Sequence, residues 1–147
     1  MTRHAGSCHC GAVSLSFTTG QPLAVRECQC SFCRKHGARN VSDPAGQCEL
    51  ESSITLARYR FGLGITDFLF CPTCGCYVAA VMADGDQWRS TANLNCFDDP
   101  HPELSAEPMA YDAEDEGDRI ARRLARWTPT RIAEPEPPEQ DSALKRQ

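Results

Sequence analysis

Eight of the ten cysteines in this 147-residue chain fall into three tight clusters: Cys8-His9-Cys10, Cys28-Gln29-Cys30-Ser31-Phe32-Cys33 and Cys71-Pro72-Thr73-Cys74-Gly75-Cys76. Thiolates one or three residues apart can converge on one ion, because a turn between them aims both sulfurs inward. The same spacings are poor geometry for a disulfide, which needs Cα atoms about 5.5 Å apart with opposed Cβ vectors. Soft thiolates in such groups select zinc or, less often, an iron–sulfur centre. The residues point to a metal protein with two sites.

The third cluster has the form of a zinc knuckle, with two thiolates across a tight turn, Pro72 pre-setting φ and Gly75 admitting the left-handed conformation. A closed structural site takes four ligands, and Cys8 and Cys10, followed by Gly11, form the simplest pair to join Cys71 and Cys74. Cys28, Cys30 and Cys33 offer three ligands, which leaves the fourth tetrahedral position of a zinc ion open, as in a catalytic site. Spacing alone leaves a second partnering open, in which Cys28 and Cys30 close the site with Cys71 and Cys74. Arg34, Lys35 and Arg39 follow the middle cluster, where cations favour thiolate over thiol and could attract an anionic substrate.

Strands must position these clusters. Val13–Phe17 alternates apolar and polar residues, the period of a strand with one buried face. Leu23–Cys28 resumes an extended pattern after the turn signal at Thr19–Pro22. Ile54–Phe61 is rich in β-branched and aromatic residues, and Thr66–Phe70 runs straight into the third cluster. Tyr77–Met82 and Gln87–Leu94 flank Asp84-Gly85-Asp86, a hairpin signal. Residues 8–97 therefore read as an antiparallel β domain with cysteines at its turns. Beyond Pro100, Asp112–Arg126 carries acids first and arginines last, with Ile120, Leu124 and Trp127 on one stripe, which predicts a helix. From Thr128 onward prolines among charges predict a disordered tail. The resulting organisation is a zinc-binding β domain over 1–100, an acidic linker and C-terminal helix over 101–127, and a tail over 128–147.

Composition narrows the function. The net charge of −5 is concentrated in residues 98–118, which hold nine acids and no Lys or Arg, so the cysteine-bearing part lacks the basic face that nucleic-acid binding needs. No stretch approaches the ~18 apolar residues of a membrane span. Cysteines beginning at position 8 without an apolar leader read as reduced thiols in a cytoplasmic protein.

Gly6-Ser7-Cys8-His9-Cys10-Gly11, Cys28-x-Cys30-Ser31-Phe32-Cys33-Arg34 and Phe70-Cys71-x-x-Cys74-Gly75, with Tyr59-Arg60-Phe61-Gly62 and Asn93-x-x-Cys96-x-Asp98, resemble the glutathione-dependent formaldehyde-activating enzymes, a family that includes the centromere protein V group. The resemblance implies a mainly β fold, a small antiparallel β-tent with zinc. It also implies the partnering: Cys8, Cys10, Cys71 and Cys74 on a structural zinc, and Cys28, Cys30 and Cys33 on a labile, partly occupied catalytic one. The implied activity is carbon–sulfur lyase chemistry in reverse, joining glutathione or a similar thiol to formaldehyde or another small aldehyde, with Arg34, Lys35 and Arg39 expected at the substrate. Many members carry histidines two residues before the knuckle phenylalanine and two or three after the knuckle glycine; here those regions read Phe68-Leu69-Phe70 and Cys76-Tyr77-Val78. The alternative is a non-catalytic zinc module on the same fold. A redox thiol enzyme would need an exposed cysteine among Cys48, Cys76 and Cys96, of which Cys48 and Cys96 read as core residues. His36, three residues beyond Cys33, is the histidine best placed for chemistry.

Overall fold

A computed structural model describes residues 1–137. Strands β1 (Thr2–Ser7) and β2 (Val13–Thr19) form an antiparallel hairpin whose turn holds Cys8 and Cys10. Val13, Leu15 and Phe17 are buried while the residues between them are not, as the alternation requires. Strand β3 (Val25–Cys28) leads into α1 (Ser31–His36), and β4 (Asn40–Val41) and β5 (Gln47–Ser52) follow. Next come β6 (Ala57–Tyr59) and β7 (Asp67–Phe70), then the long hairpin of β8 (Tyr77–Asp84) and β9 (Gln87–Asn93). After a 3-10 turn at Leu94–Cys96, β10 (Ala106–Met109), α2 (Glu116–Arg126) and β11 (Thr128–Ala133) end the described chain.

All eleven strands belong to one sheet, and β9 is its branch point. One edge of β9 pairs with β8, which continues through β7 to β6. The other edge is shared: Trp88–Ser90 pair with β11, and Ala92–Asn93 pair with β4. From there one arm runs β11-β5-β2-β1 and the other β4-β3-β10. The protein is mainly β and mostly antiparallel; β10 on β3 and β11 on β5 are parallel pairs. No described helix is long and apolar enough to cross a membrane.

Two apolar clusters pack on this frame. The larger joins β2, β5 and the β8–β9 hairpin through Phe17, Leu50, Val78, Val81 and Leu94. The smaller gathers Phe32, Phe68, Tyr77, Met82 and Trp127 under the three-cysteine segment, and ties α2 to the sheet through Ile120 and Trp127.

The tail expected from Thr128 onward is corrected over its first six residues, which form β11 between β5 and β9. Pro129 and Arg131 alternate with Thr128 and Thr130, which are buried, so the breakers share the face away from the packed threonines. Thr130 Oγ1 and Ser90 Oγ lie 2.6 Å apart, and the Asp43 amide donates to Thr128 Oγ1 at 2.8 Å. Residues 138–147 of that expectation lie outside the described residues. The strand expected over Ile54–Phe61 shrinks to β6, because the Ser52 hydroxyl turns the chain by bonding both the amide and the carbonyl of Ile54. The C-terminal helix begins at Glu116 rather than Asp112, where the Asp115 carboxylate caps the Asp118 amide at 2.7 Å. Of its predicted stripe, Trp127 is buried and Ile120 half-buried, but Leu124 is exposed.

Candidate metal centres and the adjoining cavity

The β1–β2 turn and the turn after β7 meet, and the sulfurs of Cys8, Cys10, Cys71 and Cys74 all lie within 4.8 Å of one another. Cys10 Sγ is 3.7 Å from Cys8 Sγ and 3.6 Å from Cys71 Sγ. A zinc ion at about 2.3 Å from each of four sulfurs requires edges of about 3.8 Å. The separations fit that tetrahedron, whereas a disulfide would hold its sulfurs about 2 Å apart. Gly11 and Gly75 sit at φ 84° and 79°, and their amides close the two turns onto the Cys8 and Cys71 carbonyls. Backbone amides of Cys10 and Cys76 hold the Cys74 thiol down to about 5, which suits a ligand that binds as thiolate. Cys76 lies outside the four and accepts the His9 amide at 3.3 Å.

Cys28, Cys30 and Cys33 form the second set, also within 4.8 Å. Cys28 ends β3, Cys30 is the N-cap of α1, and Cys33 sits in its first turn, donating its amide to Cys30 Sγ at 3.4 Å. As free thiols they share protons: bonds from Cys28 and Cys33 hold Cys30 low, while Cys28 and Cys30 push Cys33 up. Three soft donors on one short segment fit zinc with one position to spare. Cys48 and Cys96 are buried in the core, where burial pushes their thiols up to about 11 and about 12, so neither is a reactive nucleophile.

The three-cysteine set borders a cavity of about 190 Å³. Tyr77, Phe68 and Asn40 line it with the cysteines, together with the loop around Phe61–Thr66 and arginines of α2. Phe68, two residues before the knuckle phenylalanine, and Tyr77, two after the knuckle glycine, thus both line the cavity. Burial, and then the nearby Cys33 sulfur, raise the Tyr77 hydroxyl well above its ordinary value of 10, so it stays protonated. Among the described residues five buried side-chain polar atoms lack a hydrogen-bond partner. Four of them belong to Asn40, Tyr77, Arg119 and Arg123, all on this cavity. Buried polar groups are normally satisfied, so such a concentration marks a place for a polar ligand.

None of Arg34, Lys35 and Arg39 lines the cavity. Successive residues of α1 turn about 100° apart, so packing Cys33 inward sends Arg34 and Lys35 outward. Arg34 Nε donates to the Gln29 carbonyl at 3.0 Å, and Arg39 donates to the Leu104 carbonyl at 3.3 Å. Lys35 and His36 border a separate aromatic depression with Phe32 and Phe70. The His36 Nδ1 pairs with the Phe32 carbonyl at 2.8 Å. The cations that do line the cavity are Arg26, Arg119, Arg122 and Arg123. The sequence carried a signal for three of them, since 119, 122 and 123 are i, i+3 and i+4 on one helix face.

Residues 3–113 match the sequence model of the glutathione-dependent formaldehyde-activating enzymes. A crystal structure of a Rhodobacter sphaeroides protein, solved as a structural genomics target, is similar at 27% identity with a TM-score of 0.59. The match covers 73% of this chain and 99% of that one.

Proposed function

The chain belongs to the glutathione-dependent formaldehyde-activating enzyme family, and on that premise we propose that it joins a thiol, glutathione or similar, to formaldehyde or another small aldehyde, or cleaves such an adduct. The observation that carries this reading is the cavity bordered by the three-thiol set, Cys28, Cys30 and Cys33, while the four-thiol set lies elsewhere. A zinc ion held by these three residues would supply a Lewis-acid position where a substrate thiol is kept as thiolate.

In the addition, sulfur attacks the carbonyl carbon, the C–S bond forms, the C=O π bond breaks and the thiol proton ends on the oxygen. The residues act around that exchange. Tyr77, protonated and without a partner, can donate a hydrogen bond to the oxygen as it becomes negative. Phe68 and Trp127 supply apolar wall that excludes water and strengthens that bond. Cys8, Cys10, Cys71 and Cys74 would hold a structural zinc that braces the frame. Such chemistry requires reduced thiols, as in cytoplasm, and all ten cysteines are free.

Elemental analysis should find one tightly held zinc and a second removed by mild chelation. Formaldehyde–glutathione exchange, followed by NMR, should run faster than the spontaneous background with zinc-loaded protein. No acceleration with any of several thiols would overturn the enzyme reading. The second reading, a non-catalytic binding module, has one observation in its favour: Tyr59, Phe61 and Leu63 are large apolar residues left exposed beside the cavity.

A further inference from the structure

Beyond residue 113, where the family match ends, α2 (residues 116–126) forms one wall of the cavity. That wall is cationic. Arg119, Arg122 and Arg123 line the cavity from α2, and Arg26 joins them from β3. Four guanidiniums meet two lining or adjacent carboxylates, those of Glu114 and Asp112. Glu114 is committed to Arg122, which reaches it at 2.8 and 3.0 Å, and stands 3.8 Å from Arg119. Arg123 bonds only the Thr66 hydroxyl, and Arg26 the Ser42 hydroxyl at 3.2 Å. Positive charge thus exceeds its local counter-charge. The crowding is felt at Arg123, where burial and then Arg122 and Arg119 bring its pKa down to about 10.

These side chains are also held in place. Arg122 lies over the Tyr111 ring at 3.5 Å and Arg123 over the Trp127 ring at 4.7 Å. Planar guanidiniums fixed on aromatic faces lose little freedom when a carboxylate arrives, the condition for tight and specific anion recognition.

We propose that α2 is the carboxylate anchor of this protein: Arg119 and Arg123, with Arg122 and Arg26 beside them, bind the carboxylates of an anionic thiol whose sulfur faces Cys28, Cys30 and Cys33. The role expected for Arg34, Lys35 and Arg39 passes to them. The assignment rests on the thiol-addition reading for its substrate, but the anion site itself can be tested without turnover. The arginines are positioning residues, removed from the reacting atoms.

The test is titration calorimetry of the zinc-loaded full chain with S-methylglutathione, whose capped sulfur cannot act as thiolate. Its dimethyl ester, which keeps the amino group but lacks both carboxylates, serves as the comparison. The acid should bind roughly tenfold or more tightly than the ester, as expected for charge-assisted bonds in a partly buried site. The preference should weaken as salt rises. Arg119→Gln and Arg123→Gln should each remove most of it, while Arg34→Gln leaves it intact. The acid–ester comparison uses the unaltered protein, so it stands even where Arg123→Gln, which also loses its Thr66 and Trp127 contacts, melts early. Equal affinity for acid and ester, no binding of either, or loss of preference in Arg34→Gln alone would overturn the anchor. Formaldehyde exchange with neutral 2-mercaptoethanol separates the two readings. Acceleration there without acid preference defeats the anchor alone, and acid preference without acceleration of any thiol defeats the chemistry alone.

Discussion

Replacing Cys71 should damage the protein far more than replacing Cys30, and the structure says by how much. Cys10 and Cys71 are 61 residues apart in sequence with sulfurs 3.6 Å apart, so an ion between them closes a long loop. By chain entropy such a closure is worth about 4 kcal/mol, against about 2 kcal/mol for the short Cys28–Cys33 segment. Cys71 is fully buried, so a serine hydroxyl there adds a desolvation penalty of about 1–3 kcal/mol. Cys30 is half-buried at the N-cap of α1, where serine is a good cap and replaces what is lost. Cys71→Ser should therefore lose about 5 kcal/mol, a large share of the 5–15 kcal/mol typical of a domain. For a chain of this length that is a fall in Tm of roughly 10–20 °C, while Cys30→Ser falls by only a few degrees. Circular dichroism melts of both variants, with zinc content measured on the same samples, decide the matter. Equal losses in the two variants, or an unaltered protein whose melt ignores complete metal removal, would refute the division of labour between the sites.

Tyr77→Phe removes a buried hydroxyl that has no partner, so its melting point should hold or rise while thiol–aldehyde exchange drops roughly 10- to 100-fold; full activity would exclude the hydroxyl from the reaction. Burial opposes ionisation of Asp67, but bonds from Arg60 and from Arg58 at 2.9 Å outweigh it and leave its pKa below the ordinary 3.8. Its stabilising share is therefore complete above 3.8 and fades as pH falls through the lower folded-state value. Asp67→Asn should destabilise by about 1–3 kcal/mol at neutral pH and flatten the acid limb of the stability curve, readable in melts across the acid range. A chain ending at Trp127 loses β11 and leaves β5 and β9 without the strand that joins them, so it should be insoluble or unfolded, whereas one ending at residue 137 should melt cooperatively.

What the sequence determined by itself was local. Cys-x-Cys and Cys-x-x-Cys spacings dictate the turns that aim two sulfurs one way, and Gly11 and Gly75 permit them. The alternation of Val13, Leu15 and Phe17 and the Asp84-Gly85-Asp86 turn dictate strands and a hairpin, because each needs only neighbours within a few residues. Tertiary structure decided what meets what. Thr128, Thr130 and Ile132 alternate as a strand should, but only the open edges of β5 and β9 show that a strand belongs there. The convergence of Cys8 and Cys10 with Cys71 and Cys74 depends on sheet order, to which spacing within a cluster is blind. The cations that directly follow the middle cluster turn outward, since a helix that packs Cys33 inward cannot also face Arg34 and Lys35 that way. Three of the four that line the cavity come from some ninety residues downstream on α2, carried there by the packing of Ile120 and Trp127. A side chain's neighbours in space follow from register and packing, and these join residues whose separation along the chain carries no trace of the contact.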